Sequence, residues 1–120
     1  MPTPQMTLGQ KGESLVTQHL LAQGYTIAAR NWRCPLGELD IVAHDGTEWV
    51  FVEVRTRRAP DTNSAVESVT PAKQARVLAA ARAYLDAQGY EEVLWRVDLA
   101  VVALTAQGPH IEVIRDATGW

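Results

Sequence analysis

Two short segments place acidic side chains within apolar stretches that are typical of β-strands. Residues 37–40 read Gly-Glu-Leu-Asp, and residues 51–55 read Phe-Val-Glu-Val-Arg. A carboxylate in such a stretch is costly to bury unless a partner compensates it. Mg²⁺ or Mn²⁺, which prefer oxygen ligands, could compensate Asp40 and Glu53. Such an ion lowers the pKa of a bound water and stabilises charge on a phosphate, which is the chemistry of phosphodiester hydrolysis.

A β-hairpin joining the two segments predicts how these acids are placed. Asp45-Gly46 is a strong signal for a two-residue turn, which would set Asp40 opposite Phe51 and Glu38 opposite Glu53. Asp40 and Glu53 would then be diagonal neighbours, with backbones about 7–8 Å apart, and could share one cation. The direct opposition of two glutamates modestly supports a bound cation; the alternative is that Glu38 turns into solvent.

Side-chain alternation along the hairpin predicts one acidic face and one apolar face. The acidic face would carry Glu38, Asp40, Val42, Trp49, Phe51, Glu53 and Arg55. The apolar face would carry Leu39, Ile41, Ala43, Val50, Val52 and Val54, and would contact the core. An alternative is an exposed sheet face whose acids only pair with arginines. Several acids converging beside a continuous apolar run favour the metal site.

Glu13 is a third candidate ligand. Gly9, Glu13, Val16 and Leu20 recur at helical spacing, so Glu13 would end an apolar stripe rather than lie on the solvent face. Taken by itself, Glu13 is better explained as a boundary residue, or as an acid stabilised by the helix dipole.

Arg55 lies two residues beyond Glu53 and therefore shares its face. Its guanidinium could stabilise charge that develops on a phosphate in the transition state. It cannot act as a general base, because arginine does not deprotonate in proteins. A structural ion pair with Glu53 or Glu38 is equally compatible with the pattern, and Arg55 could fill both roles.

Other basic residues are candidates for contacts with nucleic-acid phosphates. Lys73 and Arg76 lie one turn apart near the start of a predicted helix, where an anionic partner would offset their repulsion by the helix dipole. An ordinary solvated face is a somewhat better explanation of these two. The full set of candidates is Arg30, Arg33, Arg57, Arg58, Lys73 and Arg76.

Two further residues favour structural roles. Asp98 interrupts an apolar strand and could be an outer acid of the site, but pairing with Arg96 explains it better. Cys34 has no visible activating partner and is interpreted as a small buried residue.

The elements that must position these residues follow the order α-β-β-β-α-β-β. The predicted bounds are a helix over 7–23, strands over 25–33, 37–44 and 48–55, a polar connection over 56–69, a helix over 70–88, and strands over 95–104 and 111–114. A right-handed crossover would make the strand at 95 parallel to the strand at 48. The predicted fold class is therefore α/β, a mixed sheet flanked by helices. Residues 1–6 are expected to fray.

Composition bounds the class of protein. The 120 residues predict a single domain over 1–120. The net charge of −3 is weak evidence against nucleic-acid binding. No apolar run approaches membrane-spanning length and no signal peptide is expected, so no membrane partner is predicted. The single cysteine, Cys34, fits a reducing cytoplasm.

Together these residues resemble the Asp…(Asp/Glu)-x-Lys core of the restriction-endonuclease-like nucleases. More closely, the chain resembles the YraN family of small bacterial proteins, predicted endonucleases related to Holliday-junction resolvases. The resemblance covers about residues 9–102 and is carried by the segments 9–13, 31–42, 51–57 and 96–98 and by Lys73.

This resemblance implies roles for individual residues. Glu13, Asp40 and Glu53 would be the metal-site acids, and Arg55 would occupy the lysine position. Arginine there permits electrostatic help but not proton transfer of the lysine type. The implied fold is restriction-endonuclease-like, with the first helix over one side of a mixed sheet and the crossover helix over the other.

The leading expectation is a cytoplasmic endonuclease that uses Mg²⁺ or Mn²⁺ to hydrolyse DNA, with branched or recombination intermediates as candidate substrates. A second hypothesis is a non-catalytic nucleic-acid-binding or accessory module on a nuclease scaffold, because a fold does not guarantee its chemistry. A third is a structural partner protein whose acids only pair with arginines. Resolving a symmetric junction would need a homodimer, for which the sequence identifies no surface.

Overall fold

The computed structural model describes residues 6–58 and 70–117 of the chain. Its elements are α1 (Leu8–Ala22), β1 (Thr26–Cys34), β2 (Gly37–His44), β3 (Trp49–Arg57), α2 (Pro71–Gln88), β4 (Trp95–Thr105) and β5 (Gly108–Ile114). The predicted order is confirmed across these residues. Most of the predicted connection after β3 and most of the segment expected to fray lie outside them. Neither described helix combines the length and apolar character needed to cross a bilayer.

The ends of both helices follow from local capping chemistry. The Thr7 side chain accepts from the Gln10 N–H at 3.1 Å, and the Gln10 side chain accepts from the Thr7 N–H at 2.9 Å, which forms a capping box before α1. The Thr70 side chain caps α2 by accepting from the Lys73 N–H at 3.3 Å, and Pro71 is the first residue of the helix. Gly89 ends α2 in the left-handed conformation, at φ +75°.

The five strands form one mixed sheet in the order β1-β2-β3-β4-β5. β3 and β4 are parallel, as predicted, and every other neighbouring pair is antiparallel. The two helices cover opposite faces. Against α1 pack Ile41, Ala43, Val50, Val52, Val54 and Ala100, and against α2 pack Leu39, Val42, Phe51 and Val97. The mixed sheet flanked by helices is therefore confirmed.

The register predicted for the hairpin is wrong by two residues. Val42, not Asp40, is paired with Phe51, and the connection between the strands has four residues. Asp45 explains the longer turn, since its carboxylate accepts from the N–H groups of Thr47 and Glu48 at 2.9 Å each. A shift of two residues preserves the alternation of faces, so the faces of most hairpin residues remain as predicted.

β2 separates from β3 at Asp40. Because of this separation, two further predictions, for Leu39 and Glu38, are wrong. The last pair of the ladder joins Ile41 to Val52. Leu39 then packs against α2 rather than on the face of Ile41. Glu38 does not face Glu53; it is paired with Arg33 of β1, at 3.5 Å between the charged groups.

The opposite strand shows where β2 changes course. Asn31 of β1 stands across from Asp40, between the pairs that Arg30 and Trp32 make with β2. Asn31 has φ +53°, a left-handed conformation that asparagine adopts more readily than most residues. The irregularity in β1 thus coincides with the point at which β2 leaves β3.

Helix α1 approaches β3 closely through a glycine. Its buried residues are Gly12, Val16 and Leu20, whereas Gly9 is exposed, so the predicted stripe through Gly9 is wrong. A Cβ atom on Gly12 would lie 1.7 Å from Oγ1 of Thr56. Only glycine allows this contact without a shift of the helix or of Thr56.

The buried Arg96, near the start of β4, links that strand to Asp45 after β2 and to Tyr25 before β1. Arg96 donates to Asp98 at 3.0 Å, to Asp45 at 3.0 Å and to the Tyr25 hydroxyl at 2.9 Å. Burial lowers the pKa of Arg96, but its hydrogen bonds with acids raise it above the usual range, so the guanidinium stays charged. The structural role predicted for Asp98 is confirmed, because this carboxylate is 1% exposed and bound to Arg96.

Replacing Gly12 by alanine is expected to lower the free energy of unfolding by about 1–3 kcal/mol, because the new methyl group overpacks the contact with Thr56. Gly9→Ala is the matched control. Its Cβ would meet nothing within 4 Å, and the helix should gain about 0.5–1 kcal/mol. Urea denaturation measures both. Equal effects would contradict the close approach, and Thr56→Ala should recover part of the loss in Gly12→Ala.

Arg96→Met is expected to cost about 3–5 kcal/mol of unfolding free energy, because it leaves the buried Asp98 carboxylate uncompensated. Arg115→Met provides the comparison, since Arg115 is exposed and also donates to Tyr25, at 3.1 Å. That change should cost less than about 1 kcal/mol. Denaturant titration measures both losses. Similar losses in the two variants would show that the Arg96 network contributes no more to stability than the exposed Arg115.

Candidate active site

The carboxyl groups of Asp40 and Glu53 meet where β2 leaves β3. Extending the observed register beyond the pair of Ile41 and Val52 sets position 40 directly opposite position 53, closer than the predicted diagonal. The two carboxyl groups hydrogen-bond to each other. Asp40 also accepts from the Val54 N–H at 2.8 Å, so its side chain takes the place of a backbone partner in the interrupted ladder.

Burial dominates the electrostatics of this pair. Glu53 is 6% exposed. Burial and the charge of Asp40 raise the pKa of Glu53 to about 8, although Arg55 opposes the shift. Burial also raises the pKa of Asp40, against the opposing hydrogen bond from Val54. Burial and mutual repulsion thus favour a bound proton or a nearby cation at this pair of acids.

Helix α1 brings Glu13 to the same place. Its side chain hydrogen-bonds to Asp40, and burial together with the charge of Asp40 raises the pKa of Glu13. Glu13 lies beyond the first turn of α1, which carries no acid, so stabilisation of an early-turn acid by the helix dipole does not explain it. The structure thus gathers the three predicted acids from three different elements.

Arg55 is in direct contact with Glu53. Its Nη1 atom forms an ion pair with Oε1 of Glu53 and donates to the Val54 carbonyl at 3.2 Å. Its Nε atom is buried and has no hydrogen-bond partner in the part of the chain that the structure describes. The predicted pairing of Arg55 with Glu53 is confirmed, whereas Glu38 is held by Arg33 instead.

A cavity of about 550 Å³ opens beside the acids, between the start of β2 and the start of α2. Its lining includes Glu53 and Arg55 together with Arg33, Lys73 and Arg76. The wall is therefore rich in cations although the chain is acidic overall.

Three of the six predicted nucleic-acid contacts, Arg30, Arg57 and Arg58, do not line the cavity. Arg57 and Arg58 are exposed and are not part of the cavity lining, and the Arg57 guanidinium donates to the Thr56 carbonyl at 3.1 Å. They extend the basic surface along the end of β3.

The sequence interpretation missed two features of the cavity. Cys34, predicted to be buried, is half-buried and lines the cavity. Gly37 lets α2 come close, because a Cβ there would lie 2.9 Å from the Arg76 carbonyl oxygen. The glycine of Gly-Glu-Leu-Asp was the available signal, since glycine within a strand often marks a close approach.

The donor set suits a hard divalent cation. It consists of carboxylate oxygens, and a proton or a cation must relieve the repulsion between Asp40 and Glu53. Within residues 6–58 and 70–117, no three His, Cys, Asp or Glu side chains are already arranged to hold a metal ion. A closed cage is not required, because Mg²⁺ is commonly bound through one or two carboxylates, with waters and substrate phosphates completing its shell.

The chain matches a known protein family over most of its length. Residues 12–102 match the model of the uncharacterised protein family UPF0102. The chain belongs to the UPF0102 family. The resemblance to the YraN family is confirmed at this level, and Glu13, Asp40, Glu53 and Asp98 all lie inside the matched region.

Similar relatives include UPF0102 proteins from several organisms. The protein from Chloroflexus aurantiacus is 49% identical over 112 residues, which cover 92% of this chain and 89% of the relative. The protein from Roseiflexus castenholzii is 44% identical, covering 88% and 86%. The protein from Nitrosococcus oceani is 37% identical, covering 97% and 94%. Each of these matches therefore extends over nearly the full length of this chain and of the relative.

The pKa of Glu53 predicts a pH dependence of stability in this UPF0102 protein. In the folded state Glu53 binds a proton more readily than in the unfolded state, because its pKa is raised to about 8 from an ordinary value of 4.5. Between these values the folded state binds more protons than the unfolded state, so this group's contribution to stability falls as pH rises. Glu53→Gln should flatten that fall, whereas the surface variant Glu92→Gln should retain it. Denaturant titrations across this range would test it, and identical pH profiles for all three proteins would contradict the assignment.

Proposed function

We propose that this UPF0102 protein is a divalent-metal-dependent endonuclease that hydrolyses DNA phosphodiester bonds with Mg²⁺ or Mn²⁺. The observation that carries the proposal is the meeting of the half-buried Asp40 with the buried Glu53, beside Arg55 and a cation-lined cavity. Like-charged buried groups with raised pKa values are typical of functional sites rather than of sites that only stabilise a fold.

The architecture supports a restriction-endonuclease-like fold as the finer assignment. A mixed sheet contains a parallel pair, β3 and β4, and its two faces are covered by α1 and α2. The arrangement agrees with the fold that the YraN resemblance implies. A fold by itself does not determine an activity, so the proposed chemistry rests on the site residues.

The roles of the residues follow from their contacts. Asp40 and Glu53 would hold the metal ion, with Glu13 as the third acid. When bound, the ion supplies an activated water and neutralises charge on the phosphate. The Val54 N–H fixes the Asp40 carboxylate. Arg55 stabilises the charge that develops on the phosphate oxygens, and it does so as a donor that keeps its proton.

The cavity wall supports nucleic acid as the partner. Lys73, Arg76 and Arg33 would contact phosphates of the bound strand, with Arg57 and Arg58 extending these contacts. Cations concentrated at one cavity offset the net charge of −3 locally. Branched or recombination intermediates are the proposed substrates. A homodimer would allow two strands of a junction to be cut, and the free thiol of Cys34 fits a cytoplasmic location.

A second candidate is a non-catalytic module that binds nucleic acid. The ion pair between Arg55 and Glu53 favours it, because this pair already compensates one of the acids. So does the lack, within the described ranges, of a preformed three-ligand metal group. Such a module would bind DNA in a salt-sensitive way that depends neither on metal nor on Asp40.

The test is cleavage of branched, nicked and single-stranded DNA by the full chain, with Mg²⁺ or Mn²⁺ and with EDTA. Asp40→Asn and Glu53→Gln should each reduce the cleavage rate at least about 100-fold, because each removes a group that acts on the transition state through the metal. Asp86→Asn on the exposed side of α2 is the control and should cleave normally. Circular dichroism should show that all variants fold.

Wild-type rates in both site variants would rule out the site. DNA binding without cleavage, unchanged by EDTA and by Asp40→Asn, would establish the accessory module instead.

A further inference from the structure

Arg55 already occupies the position beside Glu53 where a cation is expected. Its Nη1 atom contacts Oε1 of Glu53, and the two side chains are 19% and 8% exposed. The contact is therefore a largely buried ion pair, and solvent screens it little. In this structure Glu53, which would help to hold the metal ion, is paired with the guanidinium of Arg55.

A divalent ion bound to Glu53 would lie close to the Arg55 guanidinium. Arg55 contacts one carboxylate oxygen of Glu53, Oε1, and two cations close together in a buried site repel each other. The ion is therefore expected to bind Glu53 weakly while Arg55 stays in contact with it, and more tightly when Arg55 turns to another anion.

The guanidinium has unused donor capacity. Its buried Nε atom has no hydrogen-bond partner among the residues described. A buried donor without a partner is unfavourable, and a paired Nε and Nη edge matches the oxygens of a phosphate. Arg55 lines the cavity together with Lys73 and Arg76, so a phosphate there would meet Arg55 and two further cations.

We propose that Arg55 couples the two ligands of the site. A phosphate group in the cavity draws the guanidinium of Arg55 away from Glu53, and Glu53 then becomes available to the divalent ion. This inference rests on the proposed function and adds its regulation: the protein takes up its metal ion together with the substrate rather than before it. By linkage, the metal ion must strengthen phosphate binding by the same factor.

The coupling can be measured without any cleavage. Electron paramagnetic resonance of free Mn²⁺ reports metal binding by the full chain, in sodium chloride and in sodium sulfate at equal ionic strength. Sulfate is the probe because it is a soluble tetrahedral oxyanion that resembles phosphate. Wild-type protein should bind Mn²⁺ about tenfold more tightly in sulfate than in chloride, a factor typical of coupled sites.

Two variants separate the contribution of Arg55 from general charge effects. Arg55→Gln should bind Mn²⁺ more tightly than wild type in chloride, and sulfate should no longer strengthen the binding. Arg82→Gln removes the same charge from a residue that stacks over Trp95 and does not line the cavity. It should behave like the wild type in both salts. The wild-type comparison of the two salts tests the coupling even if Arg55→Gln fails to fold.

The outcomes distinguish this inference from the proposed function. Tight Mn²⁺ binding by wild type that is equal in both salts would overturn the coupling and leave the metal site standing. The same sulfate effect in Arg55→Gln as in wild type would also overturn it. No Mn²⁺ binding by wild type or by Arg55→Gln in either salt would overturn the metal site itself.

Discussion

The contact between the half-buried Asp40 and the buried Glu53 is the constraint on which one end of this sheet depends. Asp40 and Glu53 hydrogen-bond to each other, and burial raises the pKa of both. The separation of β2 from β3 makes room for this contact, and the Val54 N–H freed by that separation binds Asp40. The left-handed Asn31 stands opposite the same point. The backbone irregularities thus cluster around the acids instead of being spread along the sheet.

Buried charges are compensated differently at the two ends of β3. Arg96 is level with Val50, near the start of β3, and opposite charges and a tyrosine hydroxyl compensate it. Glu53 lies further along the same strand, where like charges remain close together and Arg55 is the cation in contact. The first arrangement stabilises a fold. The second leaves electrostatic free energy that a bound cation can release, which is a property expected of a functional site.

Arginine following the second acid changes what the site can do. Its guanidinium is permanently charged, so it can neutralise Glu53, bind a phosphate or stabilise a transition state, but it cannot take a proton from water. A single residue that can pair with either an acid or a phosphate would link the occupation of the two positions. Membership of the UPF0102 family rests on the match over residues 12–102, whereas the proposed chemistry rests on these side chains.

Short-range physics determined what the sequence could predict by itself. Caps such as Thr7 and Thr70 act within a few residues, so the helix ends, the strand order along the chain and most strand faces follow from local sequence. Asp45-Gly46 did not fix the register, because the Asp45 side chain stabilises a longer turn than the two-residue one. The burial of Glu53, its contact with Asp40 and the approach of Glu13 join three separate elements. Only the tertiary structure decided them, because close contacts at Gly12 and Gly37 set the distances between elements, and no local pattern encodes those distances.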